Sequence, residues 1–385
     1  MQWNWQQPDW PNFSFDPLKL MPLETAFAHE SGLLLGAFTH LTEADRTQLK
    51  VEMVSNEAMQ TSAIEGEYLN RESVQSSIRR QFGLQTDRRQ VTPAEYGIAE
   101  MMVNLYTHFQ QPLSHQTLFE WHSMLLNGRR DVQMIGAYRT HPEVMQVVSG
   151  RLDNPNVHFE APPSEAVTAE MAAFVDWFNR TETNAAGALP PLIRAGIAHL
   201  YFVSIHPFED GNGRIARALA EKSLAQGLRQ PTLIALSHTI EQHKKAYYAE
   251  LECANKDNDI QRWLVYFAET VLTAVRYSNQ QVEFLMGKTR LYDQVRGKLN
   301  PRQEKVVARL FAEGISGFHG GMSAKNYISL THASRATVTR DLQELVALGV
   351  LHKTGELRYA RYYLNLPVCI RAKQVKPDLS SVAVS

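Results

Sequence analysis

Cysteine is nearly absent: the 385-residue chain contains two, Cys253 and Cys369. They lie far apart and share no metal-ligand spacing, which argues against disulfide stapling and a zinc site and suits a reducing compartment. An excess of one charge is also missing. With 39 Lys and Arg against 40 Asp and Glu, the net charge is -1, so any nucleic-acid role must rest on a local patch. No apolar run is long enough to cross a bilayer, and Ile197 to Ile205 is interrupted by His199 and Ser204. The opening MQWNWQQPDW lacks the basic start and apolar segment of a secretory signal. Internal repeats and low-complexity tracts do not stand out. The expectation is a cytoplasmic protein without membrane contact. Its 44% apolar residues suffice for real cores, and its length predicts two or three domains.

Proline is dense only at the start. Trp3, Trp5 and Trp10 alternate with Pro8, Pro11, Pro17 and Pro22 up to Leu23, a pattern that excludes a helix there. The indoles are expected to anchor an extended arm on the body; a stacking platform for a ligand is the alternative. Helical patterning follows from Thr25 to Arg80, with an interruption at Gly36 and an N-cap at Thr42. Thr92-Pro93-Ala94-Glu95 predicts another helix start: Thr92 as cap, Pro93 in the first turn, Glu95 reaching back. Val144 to Val148, then Ser149-Gly150, reads as a hairpin strand and its turn. Helices are predicted over Ser164–Arg180, Pro190 or Pro191 to Ile205, Asn212–Ala225, and through His238–Arg290.

The chemistry concentrates in HPFEDGNGRIAR, His206 to Arg217. A helix beginning near Asn212 offers free backbone N–H groups and the positive end of its dipole to an anion. Gly211 and Gly213 let phosphate oxygens approach without a Cβ in the way. Arg214 and Arg217, three apart, project from one face as guanidinium forks. Asp210 is a hard oxygen donor placed to hold Mg²⁺ between phosphates. His206 can take a proton from a nucleophile aimed at the same phosphorus. Phe208 counts among the nucleotide-site residues, although its expected part is to fix the loop against the core.

This run matches every position of HPFx(D/E)GNGRxxR, and the chain resembles the Fic family over most of Thr92 to Arg276. The resemblance implies a mainly α fold: a Fic-type helical bundle with a small β-hairpin flap. It also implies transfer of AMP from ATP, with Mg²⁺, to a Ser, Thr or Tyr hydroxyl of a protein, its own chain among the candidate acceptors. By that analogy His206 is the base, Asp210 holds the metal, Asn212 and nearby amides cradle the α-phosphate, and Arg214 and Arg217 hold the distal phosphates. GAYRT (Gly136 to Thr140) and the hairpin after it match the flap, where Met145, Gln146, Val147 and Val148 would align a target segment by strand addition. Tyr247 and Tyr248 stand where the family flanks the adenine; ordinary helix packing is the competing reading.

TSAIEG, Thr61 to Gly66, matches the family's inhibitory pattern (S/T)xxxE(G/N). Helical spacing places Thr61 and Glu65 on one face, and Gly66 is a natural stop. The resemblance implies that Glu65 pairs with Arg217 and denies it to ATP, a class II-like arrangement.

Further on, Lys325–Leu330, a turn at Thr331-His332-Ala333, and Ser334–Leu348 read as helix, turn, helix. Val338, Leu342 and Leu345 would face inward; Arg335, Thr339 and Arg340 would face outward. Strand-like ends within Leu351–Leu364 flank Thr354-Gly355-Glu356. SRATVTRDLQELVALGVL resembles the winged helix-turn-helix domains of bacterial regulators, which implies DNA contact or protein docking.

The expected organisation is therefore residues 1–90 as arm and inhibitory region, 91–290 catalytic, 291–366 winged helix-turn-helix and 367–385 a flexible tail. A homodimer fits the extra terminal elements. The leading function is a self-restrained protein adenylyltransferase. The alternatives are a DNA-binding regulator with a nucleotide-sensing Fic body, and an enzyme that transfers a different phosphate-linked group.

Overall fold

The computed structural model describes residues 2–87, 89–151 and 154–367. The loose tail expected after Pro367, including Cys369, lies outside them apart from Pro367 itself. The described chain is mainly helical, with fourteen α-helices and two two-stranded antiparallel sheets. None of the described helices is long and apolar enough to cross a membrane.

Two compact units are present: Met1–Gly36 with Arg46–Ser278, and Ala37–Asp45 with Asn279 onward. In chain order the first helices are α1 (Met21–Thr39), α2 (Glu43–Ile64), α3 (Arg71–Gln81), α4 (Pro93–His108) and α5 (His115–Leu125). The hairpin β1 (Gln146–Arg151) and β2 (Asn154–Glu160) comes next. It is followed by α6 (Ser164–Arg180), α7 (Pro191–Ile205), α8 (Asn212–Leu228), α9 (Leu236–Gln242), α10 (Lys244–Ala254) and α11 (Gln261–Gln294).

Several starts follow the predicted chemistry. Glu95 N–H donates to Thr92 Oγ1 while Thr92 N–H donates to Glu95 Oε2 at 2.9 Å, a reciprocal cap ahead of α4. Thr42 Oγ1 accepts from Asp45 N–H at the start of α2. Other boundaries differ. Gly36 does not interrupt α1; a glycine inside a well-packed helix costs only about 1 kcal/mol. Pro22 does not exclude a helix either, because it sits in the first turn of α1, where its missing N–H has no intrahelical partner to lose. The hairpin pairs two residues later than expected, so Ser149 and Gly150 lie in β1 rather than in its turn. Helix α11 runs on to Gln294, past the expected end of the helical stretch at Arg290.

In the first unit α7 is central. Thirteen of its fifteen residues are buried, which is why its sequence is apolar all round instead of striped. It packs against α8, to which the motif-bearing loop joins it. A Cβ on Gly196 would stand 2.8 Å from Leu264 Cδ2, so the bare glycine lets α7 and α11 approach closely. Arg194, also on α7, is buried and satisfied by the Phe178 carbonyl, Thr181, Ser223 and Gln226.

The second unit contains α12 (Pro301–Ala312), α13 (Ala324–Thr331), α14 (Arg335–Ala347) and the hairpin β3 (Leu351–Thr354) with β4 (Arg361–Leu364). Val338, Leu342 and Leu345 are buried on α14, as the spacing requires. Buried Asp341 gathers the Arg302 guanidinium, the Tyr327 hydroxyl and the Asn300 amide, tying three helix starts and faces together.

Candidate active site

The loop between α7 and α8 is built from backbone conformations that few residues tolerate. His206 caps α7 in the left-handed region at φ 50°, and Gly211 precedes α8 at φ 83°. A non-glycine residue at positive φ is costly and persists only where its surroundings hold it. Arg139 supplies that hold. Its Nε donates to the His206 carbonyl at 2.9 Å, and its Nη2 donates to the Pro162 carbonyl at 2.5 Å and to that of Ile205 at 3.4 Å. Nη1 reaches Ser164 Oγ, and the Arg139 N–H donates to the Pro207 carbonyl. Burial without a carboxylate partner pulls the guanidinium down to about 10, so it remains a cation at neutral pH.

Within the loop, Asn212 closes a ring on Phe208: its Nδ2 donates to the Phe208 carbonyl at 2.8 Å, and its Oδ1 accepts the Phe208 N–H at 3.0 Å. Phe208 is fully buried and stacks on His122 of α5, with ring centroids 4.0 Å apart. Phe208 therefore shows no side-chain face to a ligand and acts as the loop's anchor. The Asn212 carboxamide is likewise spent on the loop. His122 accepts the Gly136 N–H at Nδ1, so the proton sits on Nε2, which donates to the Asp210 carbonyl at 3.2 Å. Desolvation holds this imidazole down at about 4.

At the start of α8 the helical ladder begins with Ile215 N–H donating to the Gly211 carbonyl, which leaves the amides of Asn212, Gly213 and Arg214 ahead of it. Two buried guanidinium groups border this point. Arg214 donates to Glu67 Oε2 at 2.8 Å and lies 3.6 Å from Asp210. Arg217, only 1% exposed, donates through Nε to Thr61 Oγ1 at 2.8 Å, and through Nη2 to the Thr61 carbonyl and Glu65 Oε1, the latter at 2.7 Å. Each arginine keeps one buried N–H, Arg214 Nε and Arg217 Nη1, without a hydrogen-bond partner among the described residues. Two orphaned cationic donors at a helix N-terminus form a site for an anion.

A carboxylate stands at that site. A Cβ on Gly213 would collide with Glu65 Oε1, so the bare glycine admits the acid to the helix start. Burial alone would raise the Glu65 pKa, but the charge and hydrogen bond of Arg217, with the charge of Arg214, outweigh it and hold Glu65 below the usual range. The Tyr248 hydroxyl donates to Glu65 Oε2 at 3.3 Å. Gly66, at φ 85°, turns the chain out of α2 directly after the acid.

His206 is half-buried. Its Nδ1 lies 3.3 Å from the Val203 carbonyl; a carbonyl can only accept, so in the neutral ring Nε2 carries the lone pair. Desolvation lowers its pKa to about 4, so the imidazole is a free base at neutral pH. Asp210 is half-exposed at the loop's tip, with Oδ2 3.0 Å from Arg129 Nη1 and Oδ1 accepting the Gly211 N–H at 2.6 Å. Among the described residues no group of three or more His, Cys, Asp or Glu is arranged to hold a metal ion. A single hard carboxylate beside an anion site still suits Mg²⁺, which commonly takes one carboxylate plus substrate phosphate oxygens.

The sequence-predicted residues thus divide. His206, Asp210, Gly211, Gly213, Arg214, Arg217, Thr61, Glu65 and Gly66 converge on the start of α8. Tyr247 is buried, its hydroxyl 2.9 Å from His199 Nε2, while Tyr248 is partly open beside Glu65. Gln146, Val147 and Val148 are exposed on β1, and Met145 is half-buried just before it. Arg335, Thr339 and Arg340 are exposed on α14 of the second unit. Sequence reasoning assigned no role to His122, Arg129 or Arg139. Arg139 lay in GAYRT, where a lone arginine gave no sign of burial, and His122 sits on an amphipathic helix where nothing marks it.

Residues 112–224 match the Fic/DOC family, and residues 3–84 match a domain of unknown function, DUF4172. The chain is 32% identical over 157 residues to the protein adenylyltransferase fic-1 of Caenorhabditis briggsae, covering 41% of this chain and 27% of the relative. The corresponding figures for fic-1 of Caenorhabditis elegans are 28% over 210 residues, 53% and 36%. The match therefore spans about a third or less of these relatives' length. A Fic family protein from Desulfovibrio desulfuricans G20 shares the fold at a TM-score of 0.52 and 21% identity, over 92% of this chain and 98% of that one. With the motif loop, the helix start and the β1–β2 hairpin all inside the matched region, the chain carries a Fic/DOC domain and is homologous to Fic adenylyltransferases.

Proposed function

We propose that this chain is a protein adenylyltransferase restrained by its own Glu65. One observation carries the reading: two buried arginines and a helix start form an anion site beside a neutral imidazole, and the anion there is an internal carboxylate. ATP would place its phosphates at the start of α8, with the spare donors of Arg214 and Arg217 on the distal groups. An acceptor hydroxyl gives its proton to His206 Nε2 as its oxygen attacks the α-phosphorus. The α–β anhydride bond breaks and pyrophosphate leaves. Amides and guanidinium groups fixed in place before the reaction stabilise charge as it develops, at no reorganisation cost. Asp210 would hold Mg²⁺ against phosphate oxygens, in exchange for its pairing with Arg129. When bound, that ion neutralises phosphate charge. A protein segment extended along the free edge of β1 would present the hydroxyl.

The restraint is competition. Arg217 serves the Glu65 carboxylate and Thr61, so a phosphate must displace that pairing before it gains the guanidinium. Glu65→Gly incubated with α-labelled ATP and Mg²⁺, followed by intact-mass analysis and gel detection in a cell extract, is expected to place AMP on protein far faster than wild type. Equal rates for the two would remove the restraint. Absence of any protein-bound AMP would remove the transferase reading. In the second unit, the order of α13, turn, α14 and the β3–β4 hairpin supports a winged helix-turn-helix reading, with Arg335 and Arg340 outward. Salt-dependent DNA retention lost on changing both arginines would test DNA contact there.

A further inference from the structure

The sequence leaves the N-terminal Trp/Pro arm as a packing anchor or, alternatively, a stacking platform, and the match to a domain of unknown function adds no further task. Its contacts are specific. Trp3 lies edge-on to Phe159 of β2, centroids 5.4 Å apart at 77°. Trp3, Phe159 and Ala161 form a small buried cluster separate from the main core, with Trp5 and Met145 packed against it. The Trp5 indole N–H donates to the Glu160 carbonyl at 2.7 Å. Lys256 Nζ sits 3.8 Å from the Trp3 ring centroid, closing the far side.

Between the two indoles, Asn4 is completely buried. Its Nδ2 donates to Ser204 Oγ at 2.8 Å, two residues before His206. Its N–H donates to the Asn255 carbonyl at 2.8 Å, and its own carbonyl accepts from Asn258 Nδ2. The Phe159 ring, held by Trp3, stands 6.5 Å from the His206 ring. One short segment therefore grips the base of the hairpin with its flanking tryptophans and the end of α7 with the asparagine between them.

The hairpin needs that grip. Two strands alone are marginally stable in water, and β1 is exposed along its whole length. Another side-chain tie to the helical body is the partly exposed pair His158–Glu252, at 2.9 Å. The cluster with Trp3 is where the hairpin buries apolar surface.

We propose that Trp3, Asn4 and Trp5 are positioning residues for the acceptor: they fix the β1 edge at a set distance and angle from His206, an inference that rests on the transferase reading above. None of the three touches the reacting atoms. Their effect falls on the alignment of the acceptor hydroxyl with the base and leaves nucleotide binding at α8 alone. A displacement of about 1 Å in such alignment can cost on the order of a hundredfold in rate.

The test uses the full-length chain carrying Glu65→Gly, with and without Trp3→Ala or Trp3→Phe. Three quantities are read: protein-bound label from α-labelled ATP in a cell extract, ATP affinity by titration, and amide hydrogen exchange over residues 146–160. Trp3→Ala is expected to lower labelling by about tenfold or more while ATP affinity stays within about twofold, as uncoupled sites require. Hairpin amides should exchange on the order of tenfold faster. Trp3→Phe keeps an aromatic edge on Phe159 and should restore most of the labelling. Unchanged hairpin exchange in Trp3→Ala overturns the proposal whatever the activity. So does undiminished labelling, or loss of ATP affinity in parallel with labelling. If the Glu65→Gly parent labels nothing, the transferase reading itself fails and this inference falls with it; labelling that is equal with and without Trp3 sinks the inference alone.

Discussion

Glu65 occupies the space that a side chain on Gly213 would fill, and from there its carboxylate reaches Arg217 Nη2 at 2.7 Å. The acid thus sits on the same backbone start that a phosphate would use. Glu65→Gln keeps the shape and removes the charge; Glu65→Gly removes both. A hydrogen bond to a charged group contributes about 1.5–3 kcal/mol, or roughly ten- to a hundredfold in rate if all of it opposes ATP. AMP transfer should rise from wild type to Glu65→Gln to Glu65→Gly, measured as initial rates of label incorporation at one ATP concentration. A Glu65→Gln rate at or below wild type would mean that charge competition is not the restraint.

The same pairing has a stability consequence. Glu65→Gly takes the carboxylate away from a buried guanidinium that also bonds Thr61, and breaking a buried pair by removing one member costs about 3–5 kcal/mol in full burial. Glu65 is 30% exposed, so solvent screening reduces that figure, to about 1–2 kcal/mol. Glu65→Gly should melt below wild type and regain more on adding ATP than wild type does, because the nucleotide supplies the missing anion. Equal ATP-induced shifts in a thermal melt would refute this.

Arg139 is a predicted weak point of the site. It satisfies the carbonyls of Pro162, Ile205 and His206 at once, and each buried acceptor left unpaired costs about 1–3 kcal/mol. Arg139→Ala should lose at least ~3 kcal/mol of stability in denaturant unfolding and all detectable transfer. Arg139→Lys should recover little of either, since one ammonium cannot reproduce the fork. Full activity in Arg139→Lys would show that the left-handed backbone at His206 holds without the clamp.

The motif loop, its helix start and the Thr61–Glu65 face were legible in the sequence because their chemistry is local. Glycines at fixed positions, charges three or four apart and a capping box all report on neighbours along the chain. What was not legible is what comes from afar. Arg139 is 67 residues from His206, His122 is 88 from Asp210, and Asn4 is 200 from Ser204. No periodicity encodes such pairings. Phe208, counted with the nucleotide site but expected to fix the loop against the core, does the latter: its ring is buried on His122. The Gly36 and Pro22 readings failed because packing and position in the turn override intrinsic preference.

The pH dependence of transfer follows from His206. Desolvation holds its pKa at about 4, so the base form persists as pH falls and is lost only near that value. Glu65 is one of the charges that raise this pKa, so its removal moves the acid limb down rather than up. Transfer by Glu65→Gly should stay level from about pH 8 to about pH 5.5 as far as the base is concerned. His206→Ala should lose roughly 10²–10⁴ in rate and the limb with it. A limb near 6.5, the value of a free imidazole, would place His206 in water and not in the desolvated pocket.

A second titration lies beneath the restraint. Glu57 on α2 and Glu221 on α8 are both buried, and Glu57 Oε1 accepts the Ser237 N–H while its Oε2 has no hydrogen-bond partner among the described residues. Desolvation is the main cause that raises both pKa values, that of Glu221 most, with mutual repulsion adding to it there. The pair therefore keeps a proton in the folded state that the unfolded chain releases above about pH 4.3. Because the unfolded state then binds fewer protons, stability falls as pH rises toward the folded pKa. Glu221→Gln keeps a donor to Glu57 and removes that proton uptake. The wild-type melting temperature should fall as pH rises above the unfolded value of about 4.3 while that of Glu221→Gln stays flatter. Parallel melting curves for the two proteins would show that the carboxyls do not share a proton, and the coupling of α2 to α8 through them would have no basis.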